Sequence, residues 1–114
     1  MSLVYREVYL LGKKIPKADK LGIHTTLQNQ VLLAFESTIS AAFAHLETKL
    51  TYLEDTRTAI EVSKHLLRTE QELAIIPETT YIRIAKLLVD ASKMTTSWLK
   101  NTEARIGTTK NSLF

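Results

Sequence analysis

The stretch Tyr52-Leu53-Glu54-Asp55-Thr56-Arg57-Thr58-Ala59-Ile60-Glu61-Val62-Ser63-Lys64-His65-Leu66-Leu67 decides the fold. Leu53, Ile60, Leu67 and Ala74 recur at every seventh residue, and Tyr52, Ala59, Leu66 and Leu73 repeat the same step beside them. Seven residues are close to two turns of an α-helix, so each column stays on one face. Two adjacent columns make a buried face wider than a two-stranded coiled coil needs, which predicts a helix inside a bundle.

Outward from this helix the breakers outline the rest. No glycine or proline occurs between Gly22 and Pro77. A stretch of that length is too long for one ordinary helix and should fold as a helical hairpin, reversing near Glu47 to Thr51. Its first arm opens at Thr25, where Thr25-Thr26-Leu27-Gln28 reads as a capping box, and carries Leu32, Phe35, Ile39, Ala42 and Leu46 as its apolar stripe. Before it, an N-terminal helix from about Ser2 to Lys14 presents Val4, Val8 and Leu11, with Leu3 and Leu10 alongside. The segment from Ile15 to Gly22 breaks that helix at Pro16.

After Pro77 a last helix carries Tyr81, Ile84, Leu88, Ala91, Thr95 and Trp98 along one side. The tail past Gly107 has no helical period and is expected to fray. No segment alternates at period two over a useful length. The chain therefore reads as all-α, an antiparallel up-down four-helix bundle over residues 1–106 with a frayed 107–114.

At 114 residues the chain has one domain's length, and its 45% hydrophobic and 24% charged residues suit a globular core. The apolar run Val31-Leu32-Leu33-Ala34-Phe35 is far too short to span a bilayer. The first residues, with Arg6 and Glu7 where an apolar stretch would stand, do not resemble a signal peptide, and a cytoplasmic location is expected. With no cysteine there are no disulfides, thiolate metal sites or thiol nucleophiles.

Candidate chemistry is sparse. The glycines are isolated, so no phosphate-cradling loop is present. Glu61 and His65 share a helical face, but a bundle metal centre needs further carboxylates and Glu-x-x-His motifs, and an exposed ion pair explains them as well. Glu70 and Glu72 point to different faces and make a poor acid–base pair. No metal site, cofactor or enzymatic activity is expected.

The basic residues admit two readings. Lys13, Lys14, Lys17 and Lys20 cluster at the first connection, while Arg83, Lys86, Lys93, Lys100 and Arg105 dominate one side of the last helix, interrupted mainly by Asp90. They form either a solvated exterior or a surface for nucleic-acid phosphates. Without interleaved aromatics, such binding is expected to be directed to the backbone. Arg68, beside Leu66 and Leu67, is expected to be partly buried and to need a carboxylate such as Glu72 or one from a neighbouring chain. Trp98 is either core or a subunit-interface anchor.

Two segments carry a family resemblance: Leu66-Leu67-Arg68-Thr69-Glu70-Gln71-Glu72-Leu73-Ala74-Ile75-Ile76 followed by Tyr81, and Ser92-Lys93-Met94-Thr95-Thr96-Ser97-Trp98-Leu99-Lys100. With Ile15-Pro16-Lys17, they resemble the small four-helix-bundle Avd proteins, the accessory variability determinants of diversity-generating retroelements. Bundle proteins encoded in intervening sequences of large-subunit ribosomal RNA are a more distant likeness. The similarity runs from the first helix through Lys100. The family often has Gly-Gly or Gly-Ser before the tryptophan, where this chain has Thr96-Ser97, and an aromatic before the proline, where it has Ile15.

The resemblance implies a homopentamer that binds RNA or DNA and the element's reverse transcriptase during mutagenic copying. Five copies of a chain with net charge +3 carry +15, so mild basicity becomes a substantial field. The alternative is a structural or protein-interaction bundle of the ribosomal intervening-sequence type.

Overall fold

The computed structural model describes residues 1–112. Four helices dominate: α1 (Ser2–Gly12), α2 (Thr25–Phe43), α3 (Leu46–Glu72) and α4 (Glu78–Ser112). Between α1 and α2 lie a helical turn at Lys17–Asp19 and a π-helical segment at Lys20–His24. No strand occurs among the described residues. The helix packing is that of a bundle, 59 Å long and 21 by 18 Å across.

On α3 the expected column Leu53, Ile60, Leu67 is fully buried. The second column is different. Ala59 is buried, but Tyr52 and Leu66 are only half-buried and Leu73 is exposed. The true second seam is polar: Thr56, Ser63 and Glu70, interleaved with the leucines and isoleucine at steps of three and four. Thr56 and Ser63 donate to the carbonyls of Tyr52 and Ala59, at 3.0 and 2.7 Å. A hydroxyl satisfied by its own helix fits a core without a partner, which is why a search for apolar residues passes over it. Thr95 and Thr102 on α4 do the same toward Ala91 and Trp98.

On α2 the buried line is Leu27, Val31, Ala34, Ser37 and Ala41. The expected stripe is displaced sideways from it: Leu32 and Phe35 are half-buried, Ile39 and Ala42 exposed, and Leu46 begins the next helix. α2 carries enough apolar residues for two neighbouring stripes, and periodicity alone does not choose between them. Phe35 explains the displaced one, since its ring meets Tyr5 of α1 edge-on at 6.4 Å.

Three boundaries differ from expectation. The expected capping box at Thr25 does not form, because His24 is already helical and the Thr25 hydroxyl donates back to the Lys20 carbonyl. The chain instead enters α2 through the π segment, kinked at Gly22. The turn between α2 and α3 comes earlier than expected, at the extended pair Ala44 and His45, with no glycine to mark it. α4 continues past the expected boundary at residue 106, through Gly107 to Ser112. The remainder of the expected frayed tail, 113–114, lies outside the described residues.

α3 ends in a Schellman turn: Ile75 N–H donates to the Glu70 carbonyl at 2.9 Å and Ala74 N–H to that of Gln71 at 3.0 Å. Ala74 sits there with φ of 59°, so it is outside the helix and its expected place in the first column is wrong.

α1, with 11 residues, is much shorter than the 35-residue α4. The first turn of α1 borders a gap between α2 and α4. An apolar groove of about 450 Å³ lies there, lined by Met1, Val4, Thr38, Met94, Thr95 and Trp98 among others.

Candidate functional site

The basic residues of α4 are arranged by helical geometry. Lys86, Lys93 and Lys100 are exposed and stand in one column, each step of seven returning within about 20° of the last. At 1.5 Å per residue the column spans roughly 21 Å. None of the three has an ion-pair partner among the described residues. The column is not purely cationic, because the exposed Ile82 and Val89 lie along the same side.

Arg83 leaves this column and turns toward α1, where it pairs with Glu7 at 2.5 Å. Lys14 lies near this pair, lining a small groove with Glu7, Leu10, Thr80 and Arg83. Lys13 extends over the ring of Tyr9, 5.6 Å from its centroid. Lys17 lies on the helical turn and Lys20 opens the π segment, both exposed. Arg105 is exposed further along α4. The first-connection cluster and the start of α4 thus meet at one end of the bundle, while the lysine column runs away from it.

The other singled-out residues behave differently from one another. Arg68 is not partly buried: its side chain is 67% exposed and pairs with Glu72 at 3.0 Å. A solvated pair of this kind contributes at most about 1 kcal/mol. Tyr81 is half-buried against the main core. Trp98 is half-buried against Ala41, Leu53 and Leu99, with the Lys49 ammonium 5.7 Å from its ring. Glu61 is held by Lys64 at 2.8 Å, and His65 is exposed.

The least legible feature is interior. His24, at the end of the π segment, is buried with its Nδ1 3.0 Å from Glu70 Oε2 and its Nε2 2.9 Å from the Val8 carbonyl. A carbonyl only accepts, so Nε2 donates to it. The contact with Glu70 therefore holds one proton, on Nδ1 or on the carboxyl group. Gly12 packs against the ring, and a Cβ there would come within 3.0 Å of His24 Cδ2 and Nε2. The pair ties α1, the π segment and α3 together. Glu70 could have been found from register: it falls on the seam after Thr56 and Ser63, where a carboxyl group requires a buried partner.

No protein-family model, curated protein or solved structure matches this chain.

Proposed function

We propose that this protein is a non-catalytic, nucleic-acid-binding accessory protein that works beside the reverse transcriptase of a diversity-generating retroelement. The family resemblance supplies the partner enzyme. The observation that carries the binding is the lysine column Lys86, Lys93, Lys100, which has no ion-pair partner among the described residues. Lysines held at a regular spacing on a long helix suit contacts with backbone phosphates, which release counterions and so weaken as salt rises. Lys13, Lys14, Lys17 and Lys20 extend the field at one end, with Arg83 and Arg105 as flanking cations.

In this reading the helices run antiparallel in up-down order. Tyr5 against Phe35, and His24 against both Val8 and Glu70, support that order. The chain acts in the cytoplasm as a homo-oligomer, a pentamer by resemblance. The decisive test is coexpression with the reverse transcriptase of the same locus, followed by salt-dependent binding of RNA and DNA. Lys86→Glu, Lys93→Glu and Lys100→Glu together should abolish binding with helicity intact. Binding that is insensitive to salt would sink the phosphate mechanism.

A second reading is a structural or protein-interaction bundle without direct nucleic-acid affinity. It draws on the apolar residues left uncovered, Ile39, Phe43, Ile82 and Met94. It requires an oligomer that retains no oligonucleotide even at low salt.

A further inference from the structure

The core side of α1 is Val4, Val8 and Leu11. Arg6, Tyr9 and Lys13, at helical steps of three and four, occupy the opposite side and are all exposed. Tyr9 is 48% exposed, and its one described ring partner is the Lys13 ammonium. Arg6 stands one turn before it, with no ion-pair partner among the described residues. Lys14 and Lys17 follow at the same end of the bundle. An aromatic face flanked along a helix by two cations matches single-stranded nucleic acid, in which an unstacked base lies between two phosphates.

We infer that Tyr9 is a base-stacking platform for single-stranded RNA or DNA, with Arg6 and Lys13 holding the flanking phosphates. This rests on the nucleic-acid reading above and departs from the expectation of purely backbone-directed binding. The ligand replaces a contact already present. Lys13 leaves the ring when a base arrives and meets the adjoining phosphate, so the cation–π contact is exchanged for stacking plus an ionic contact. A duplex, whose bases are stacked on one another, offers nothing to the ring. The site therefore favours single strands, while the α4 column accepts either form.

The test is fluorescence anisotropy with a labelled single strand of about 12 nucleotides. It is compared with an abasic strand of equal length and with a duplex. Tyr9→Ala should weaken the single strand about tenfold. It should leave the abasic strand, the duplex and the salt slope unchanged, and Tyr9→Phe should bind as the wild type. The triple lysine-to-glutamate variant of α4 should abolish binding of all three probes. If Tyr9→Ala binds the single strand as tightly as the wild type, or loses the abasic strand equally, the stacking site is wrong and the nucleic-acid reading stands. If the wild type binds no probe at low salt, both are wrong. Circular dichroism of Tyr9→Ala confirms that the fold is retained.

Discussion

His24 and Glu70, 46 residues apart in the sequence, meet at 3.0 Å with side chains 1% and 0% exposed. Neither side chain has an unsatisfied polar atom, because the second imidazole nitrogen is engaged by Val8. Three segments are therefore joined through one buried histidine and its two polar contacts.

Removing Glu70 leaves the buried His24 Nδ1 without its partner, while Nε2 keeps the Val8 carbonyl. Glu70→Ala should destabilise the fold by about 1–3 kcal/mol, the cost of leaving a buried polar atom unsatisfied. Glu70→Gln can donate its amide N–H to a neutral imidazole and should cost much less. Urea midpoints of the two variants measure the difference, and equal losses would show that the polar contact is not what matters.

Gly12 and Gly107 make a paired test. Ala at 12 gains helix propensity but drives a methyl group to 3.0 Å from the His24 ring, which its two hydrogen bonds hold in place. Gly12→Ala should cost about 1–3 kcal/mol through overpacking. Nothing stands within 4 Å of a Cβ at Gly107, which lies inside α4. Gly107→Ala should stabilise by up to about 1 kcal/mol. Opposite shifts in thermal midpoint are expected, and a stabilising Gly12→Ala would refute the ring contact.

Ala74 closes α3 with φ of 59°, a conformation in which Cβ crowds the following carbonyl. Glycine carries no such penalty and is the usual residue at this place in a Schellman turn. Ala74→Gly should raise stability by about 1 kcal/mol, read as a higher urea midpoint with unchanged slope. A lower midpoint would mean that the turn is not left-handed in solution.

Ala74 also shows why parts of this fold were illegible. The seven-residue step through Leu53, Ile60 and Leu67 revealed α3, and Pro77 revealed the start of α4, because both act locally. The helix end at Glu72 and the turn at Ala44 and His45 carry no glycine or proline, so no residue announces them. The polar seam escaped for another reason: the self-satisfied Thr56 and Ser63 look like surface residues in a hydropathy pattern. The cations could be read as residues but not as an arrangement. Spacing put Lys86, Lys93 and Lys100 on one side, whereas only the tertiary structure turns Arg83 to Glu7 and brings Lys14 beside it.

The groove beside the first turn of α1 is edged by exposed apolar side chains. Phe43 is 87% exposed and Met94 73% exposed, and Met94 lines the open groove with Trp98. Side chains so exposed contribute little to the stability of one chain, so Phe43→Ser with Met94→Ser should move the unfolding free energy by no more than about 0.5 kcal/mol. If copies associate by covering this end, the double variant should sediment as a 12.9 kDa monomer under conditions where the wild type is larger. The single tryptophan gives an independent reading. Its emission should shift to the red on dissociation, as the groove opens to water. A wild type that is itself a monomer at high concentration would remove the oligomer from the proposal. An oligomer unmoved by the double variant would place the contact on another face, with the lysine column of α4 and its neighbours Ile82 and Val89 the next to test.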